Sequence, residues 1–167
     1  MERIKQEELA NQQVLTFALL KPLGMQEPMR SYVLERLSQT AEIRQIKRHV
    51  LTQDEAYQLY WPSGHEEDGT PKTHFFAITS YMTGQETDLI LLKGVVSEID
   101  DLIGEWKPEE TRPDQLRHIL NGKDYIIPVD VPEGYQNFVC DNLIHSSDSP
   151  ESARRELAIF FAPEELI

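Results

Sequence analysis

Cysteine is almost absent from this chain. Cys140 is the only one, so no intrachain disulfide can form and a reducing compartment is expected. Uninterrupted apolar stretches are equally scarce. Runs such as Leu89-Ile90-Leu91-Leu92 are only a few residues long, far short of the ~20 residues needed to span a bilayer. The opening MERIKQEELANQQ is polar and has no apolar centre of the kind a secretory leader carries. Together these predict a cytoplasmic protein with no membrane partner. Positive charge is in deficit too, since 16 Lys and Arg stand against 29 Asp and Glu, for a formal charge of −13. So acidic a surface repels a phosphate backbone, and nucleic acid is not an expected partner. That argument concerns the bulk surface only. A few basic groups in one pocket still suffice for a polyphosphate that carries its own divalent cation. No internal repeat or second domain is visible in the 167 residues, a length that suits one domain with a sizeable core.

What is present divides into short, readable segments. Residues 14–20, VLTFALL, form a β-branched and aromatic run that ends in Lys21-Pro22-Leu23-Gly24, a buried strand entering a turn. Met29, Val33, Leu34 and Leu37 recur at helical spacing. EIRQIKRHVL, at 42–51, alternates as a strand with its basic side chains outward. Thr52 then caps a helix through Tyr60, with Asp54 and Glu55 in its first turn. WPSGHEEDGTPKT reads as an exposed loop, and its His65-Glu66-Glu67-Asp68 as a solvated charged run rather than a metal site. A helix over His74–Met82, a strand over Asp88–Leu92 and a helix over Val95–Ile103 follow.

Residues 105–136 are punctuated by Pro108, Pro113, Pro128 and Pro132. A tract of that length reads as a functional loop, with a short helix near Asp114–Leu120 and room for a small hairpin. Asn137–Ile144 is the last expected strand, with Cys140 as a buried strand residue. Ser149-Pro150-Glu151 opens the last helix with a hydroxyl cap, proline at the first helical position and an early acid. The order suits an α+β domain of the ferredoxin-like, split βαβ kind, an antiparallel sheet covered by helices.

One segment carries chemistry. In Asn142-Leu143-Ile144-His145-Ser146-Ser147-Asp148-Ser149-Pro150-Glu151-Ser152-Ala153 a histidine ends a strand just before a capped helix start. Free N–H groups and the helix dipole favour an anion there. A neutral imidazole, with a reference pKa of about 6.5, is a nucleophile that can take a phosphoryl group and pass it on.

The same residues carry a resemblance. NLIHSSDSPESARREL resembles the active-site signature of nucleoside diphosphate kinases, N-I-I-H-G-S-D-S-x-E-S-A-x-x-E, with Leu143 for Ile and Ser146 for Gly. TFALLKPLGMQ is similar to that family's first strand and its T-x-x-x-x-K-P-x-G turn. His74-Phe75-Phe76-Ala77 with Tyr81-Met82, Ile103-Gly104-Glu105-x-x-Pro108 with Pro113-Asp114-x-Leu116-Arg117, and the ending Phe161-Ala162-Pro163-Glu164-Glu165-Leu166 also match in order. The resemblance implies one kinase-like domain over residues 1–167, with a polar extension at 1–13 and a phosphate-facing loop at 105–136. It implies ping-pong transfer from nucleoside triphosphates to diphosphates through a phosphohistidine at His145. Glu156 and Ser147 would place His145, and Lys21 would hold phosphate near it. Nucleotide binding would fall to Lys21, Tyr60, Arg117, Asn142 on the ribose and Phe75 stacked on the base. Mg²⁺ would be carried by the nucleotide phosphates rather than by a protein site, and the chain would form a homo-oligomer.

The pattern breaks in three places. Asp100 stands where the family has a phosphate-binding arginine, and Trp106 where it has a threonine. Lys107 and Arg112 are the candidates to compensate. Residues 121–136, NGKDYIIPVDVPEGYQ, are an insertion before the active-site strand. The alternative to an active kinase is a nucleotide-binding or protein-interaction module on the same scaffold.

Overall fold

The computed structural model describes residues 12–122 and 141–167. The expected hairpin, Cys140 and most of the terminal extension and of the insertion lie outside the described residues. Strand β1 is Gln13–Leu20, helix α1 Met29–Thr40, strand β2 Glu42–Val50, helix α2 Gln53–Gly64 and helix α3 Thr73–Met82. Strand β3 is Glu86–Val95, helix α4 Val96–Ile103, strand β4 Ile144–Ser146 and helix α5 Pro150–Phe160, with 3₁₀ turns at Pro108–Glu110, Leu116–Leu120 and Pro163–Leu166. The four strands lie in the order β2-β3-β1-β4, with every pairing antiparallel. This is the ferredoxin-like α+β arrangement expected from the element order.

Position in the sheet explains why β1 is apolar throughout its second half. It runs between β3 and β4, and its alternate side chains enter two separate cores. Phe17 and Leu19 point toward α2, α3 and α5, against Leu59, Phe75, Leu157 and Phe160. Ala18 and Leu20 point the other way, toward α1 and α4, against Val33, Leu37, Ile99 and Ile103. A sheet covered on both faces needs a central strand that is apolar on both faces. The outer strand β2 instead alternates exposed and half-buried residues. Its basic side chains find partners: Arg48 Nε donates to the buried Asp88 at 2.9 Å, and Lys47 Nζ to Phe160 O at 3.2 Å.

Four expectations need correction. Helix α2 does not stop at Tyr60 but continues through Pro62 to Gly64. It starts as expected, with Thr52 and Glu55 forming a reciprocal capping box. Proline deprives the Gln58 carbonyl of its helical donor, and Arg155 Nη1 supplies the missing bond at 2.9 Å. Nor is His65 part of a solvated run. It is buried at the helix end, its ring 3.7 Å from that of Trp61 and its Nδ1 2.9 Å from Trp61 O.

The third correction concerns the last strand, expected over 137–144, of which 137–140 lie outside the described residues. Among the described residues it begins only at Ile144. Leu143 holds φ of 80°, and Ile144 N donates to Asn142 O at 3.0 Å, a γ-turn that keeps Asp141 and Asn142 out of the sheet. The expected helix at 114–120 is the shorter 3₁₀ turn Leu116–Leu120.

That γ-turn is pinned from the start of the chain. Lys21 N donates to Leu143 O at 3.0 Å, so the turn after β1 docks directly on the residue before β4. Gly24 makes the approach possible, because a Cβ there would overlap the Leu143 carbonyl oxygen. We expect Gly24→Ala to cost about 1–3 kcal/mol through this overlap. Urea unfolding monitored by circular dichroism checks it, and an unchanged midpoint would show that the turn can relax away from Leu143.

Candidate active site

His145 sits in the middle of β4, paired across to Leu19 of β1. Its ring stands between Phe17, at 6.1 Å between centroids, and Tyr60 of α2, at 5.7 Å and nearly edge-on. Three residues separate β4 from α5, whose first turn is capped by Ser149 Oγ accepting from Ser152 N at 3.1 Å. The short link brings the imidazole beside the amino end of a helix, where the dipole favours negative charge.

Behind the imidazole lies Glu156, on the inward face of α5 and only 3% exposed. His145 Nε2 is 3.1 Å from Glu156 Oε2, and Ser147 Oγ donates to the same oxygen at 2.6 Å. The other oxygen, Oε1, accepts from Arg155 Nη2 at 2.9 Å. Burial pushes the Glu156 carboxyl up, but the charge and hydrogen bond of His145, the Ser147 hydroxyl and the Arg155 guanidinium together hold it below its usual value. A carboxylate kept charged in this way accepts a hydrogen bond from an Nε2–H.

In front of the imidazole opens a cavity of ≈ 940 Å³, lined by Lys21, Tyr60, Arg117, Asn142 and His145 among others. Five residues predicted from scattered positions thus line one cavity. Lys21 is 3% exposed, with its Nζ 5.6 Å from the centre of the Tyr60 ring. Arg117 is anchored by Nη1 to Gly104 O at 2.6 Å and by Nη2 to Ile144 O at 2.7 Å. Its Nε is buried with no hydrogen-bond partner among the described residues. Burial pushes the Arg117 guanidinium down to about 10, and the nearby Asp100 works in the opposite direction. Asn142 donates through Nδ2 to Trp106 O at 2.9 Å, while its Oδ1 is buried without a partner among the described residues. Ser147 and Glu156 stand behind His145 rather than on the cavity wall.

Phe75 is not brought to the cavity. It is 2% exposed, packed against Gly64, with its ring 4.5 Å from His65 and 5.3 Å from Tyr57. Helix α3 turns that side chain into the core, so in this structure it presents no face to a base.

The departures from the family pattern meet in space. Asp100, on α4, accepts from Ser146 Oγ at 3.3 Å, so two replaced positions touch each other. Burial pushes the Asp100 carboxyl up, as do Asp148 and Glu105; Arg117 and Ser146 pull it down. Neither candidate for compensation stands ready. Arg112 lines the cavity but grips Asp101 through two bonds, at 3.0 and 2.8 Å, and also Asp114. Lys107 pairs with Glu110 at 3.0 Å and lies over the Trp106 ring, outside the cavity lining. Among the described residues no three His, Cys, Asp or Glu side chains gather to hold a metal ion.

Sequence reasoning missed Asp141 and Arg155. Asp141 is buried and accepts from Leu23 N at 2.9 Å, Tyr81 Oη at 2.6 Å and Leu143 N at 3.1 Å. No local pattern marks it. Arg155 had one indirect signal, a proline inside a helix that leaves a carbonyl in need of a donor.

Comparison with known proteins places the chain in a family. The family model described as nucleoside diphosphate kinase matches residues 15–166. The nucleoside diphosphate kinase of Sulfurisphaera tokodaii is 28% identical over 155 residues, covering 91% of this chain and 91% of that one. That of Thermus thermophilus is also 28% identical over 155 residues, covering 91% and 98%. In three dimensions the chain is similar to the nucleoside-diphosphate kinase of Borrelia burgdorferi, solved as a transition-state mimic with vanadate and ADP. The TM-score there is 0.73, at 19% identity, over 93% of this chain and 90% of that one. The Aquifex aeolicus nucleoside diphosphate kinase superposes with a TM-score of 0.71 at 22% identity, over 93% of this chain and all of its own. With the match running from the first strand to the last turn, this chain belongs to the nucleoside diphosphate kinase family.

Proposed function

We propose that this chain moves the terminal phosphoryl group of a nucleoside triphosphate to a nucleoside diphosphate, in two steps through a phosphohistidine at His145. The observation that carries this reading is an imidazole with one nitrogen held by a buried carboxylate, at a cavity wall that also bears Lys21, Arg117 and Asn142. In the first step the Nδ1 lone pair attacks the γ-phosphorus. The bond to the β-phosphate oxygen breaks, and the nucleoside diphosphate leaves with that electron pair. In the second step a terminal phosphate oxygen of another diphosphate attacks the same phosphorus and the N–P bond breaks. Glu156 keeps the ring in one tautomer and offsets positive charge on it while the bond forms, and Ser147 holds Glu156 in place.

Lys21 and Arg117 supply the positive field for the transferring group. The partnerless Oδ1 of Asn142 suits a ribose hydroxyl, because a buried acceptor gains most from a donor brought by the ligand. Tyr60 closes one side of the phosphate end. Enzymes of this family use a divalent cation for nucleotide binding. In this reading Mg²⁺ arrives on the phosphates and lowers their charge beside Asp100, Glu105 and Asp148. The reading further takes the whole reaction to one domain, in a cytoplasmic homo-oligomer whose substrates are nucleotides. Among the described residues no helix is long and apolar enough to cross a membrane.

Two experiments test it. Incubation with Mg²⁺ and γ-labelled ATP should give acid-labile, base-stable label that a second nucleoside diphosphate removes. His145→Ala should abolish that label while leaving the far-UV circular dichroism unchanged. A folded wild-type protein that takes no label would instead favour a binding module. The second concerns Asp100. Replacement by Asn keeps an acceptor for Ser146 and removes a negative charge beside Arg117 and the incoming phosphates. Relief of about 1 kcal/mol of repulsion should lower the nucleotide KM about fivefold with kcat little changed. Steady-state kinetics at fixed Mg²⁺ reads this directly, and an unaltered KM would mean that Asp100 does not face the phosphates.

A further inference from the structure

Arg155 has two terminal nitrogens and sends them to two different parts of the molecule. Nη1 donates at 2.9 Å to Gln58 O, the carbonyl that Pro62 leaves without a helical donor, and lies 3.5 Å from Leu59 O. Nη2 donates at 2.9 Å to Glu156 Oε1 and also lies 3.5 Å from Leu59 O. The opposite oxygen of that carboxylate holds His145 and Ser147. Helix α2, where the first arm ends, also carries Tyr60 and Ser63 of the cavity wall. One rigid guanidinium fork thus spans from the bend in the wall helix to the carboxylate behind the imidazole.

We propose that Arg155 is a positioning residue for phosphoryl transfer: it fastens the proline-bent α2 to Glu156, so the cavity wall and the His145 ring are set by one fork. This rests on the phosphohistidine reading of His145. Arg155 itself is not among the residues lining the cavity and touches no reacting atom. Its side chain is 35% exposed, so replacement leaves the core intact.

Two roles have to be separated. Arg155 could matter only because it satisfies the carbonyl that Pro62 frees, which is a matter of stability. Or it matters because it orients and charges the carboxylate, which changes the chemistry. The charged or titratable side chains facing Glu156 are His145 from β4 and Arg155 from its own helix, while α2 presents Tyr60 and β1 presents Phe17 around the imidazole. Burial pushes the Glu156 carboxyl up, and Arg155 is one of the groups that bring it down. Without Arg155 the carboxylate takes a proton at higher pH, and the acid limb of the reaction moves toward neutrality.

The test uses the full chain as wild type, Arg155→Met, and Arg155→Met combined with Pro62→Ala. Methionine keeps an apolar stem without charge, and alanine at 62 restores the backbone N–H that Gln58 O lacks. The rate of phosphoenzyme formation from Mg²⁺-ATP is measured against pH in rapid quench, with Tm recorded alongside. Arg155→Met should slow phosphorylation roughly tenfold at neutral pH and shift the acid limb upward. The double variant should regain Tm but keep the slow rate and the shifted limb. If Arg155→Met leaves the acid limb in place, or if Pro62→Ala restores rate and limb together, Arg155 is a structural filler and the proposal is wrong. If wild type itself takes no label on His145, the phosphohistidine reading fails and takes the proposal with it. A labelled wild type with an indifferent Arg155→Met sinks the proposal alone.

Discussion

Glu156 is a carboxylate taken almost wholly out of water, and such a group stays charged only where donors meet both its oxygens. The donors come from His145 on β4, from Ser147 just beyond it and from Arg155 on the same helix. Because His145 and Ser147 lie outside α5, the helix cannot rotate or slide without leaving the carboxylate short of a partner. The same helix buries Leu157 and Phe160 in the core, and the Phe160 ring lies nearly parallel to that of Phe17 at 5.1 Å. Core packing and the buried charge therefore restrain the same degree of freedom. His145 inherits the rigidity of both.

The opposite flank of the site depends on a backbone conformation that a leucine does not adopt readily. A residue in that region costs of order 1–3 kcal/mol, and Leu143 is held there by contacts from elsewhere. Its carbonyl accepts Lys21 N, its own N–H donates to Asp141, and Gly24 lies against its carbonyl oxygen. Asp141 extends the arrangement to Leu23 N and Tyr81 Oη. The outcome is geometric. Lys21, Asn142 and His145 come from opposite ends of the chain, yet their backbones are tied together within a few bonds of each other.

Charge in the cavity is finely balanced. Arg117 faces Asp100, and Arg112 is held by Asp101 and Asp114. A polyphosphate entering this space meets less net positive field than the family's arginine and threonine would offer. The Ser146 hydroxyl, in the place of a glycine, gives Asp100 a donor. Two substitutions that look unrelated in the sequence are therefore one local change, in which a carboxylate and its hydrogen-bond donor arrive together.

The segments whose outcome was legible are those governed by local rules. The run VLTFALL, the helical spacing from Met29 to Leu37, the Thr52 cap and the Ser149-Pro150-Glu151 start all became the elements expected of them. The segments that were misjudged are those where a distant group altered the local rule. Pro62 did not end α2, because Arg155, 93 residues further on, supplies its missing bond to Gln58. Residues 141–143 stay out of the strand expected there because Lys21 and Asp141 hold Leu143 in a turn.

The order of elements, the antiparallel α+β class and the contiguous motif that holds His145 and Glu156 were legible in the sequence. Caps, periodicity and a contiguous motif are encoded within a few residues of one another, so these could be read directly. Only the tertiary structure decided which side chains face the cavity and which pair with each other. It turned Phe75 into the core, set Asp100 against Ser146 and Arg117, and stretched Arg155 from Gln58 to Glu156. The reason is physical: those outcomes depend on how each helix is rotated and seated on the sheet. That seating is settled by packing over both cores at once, not by any local pattern.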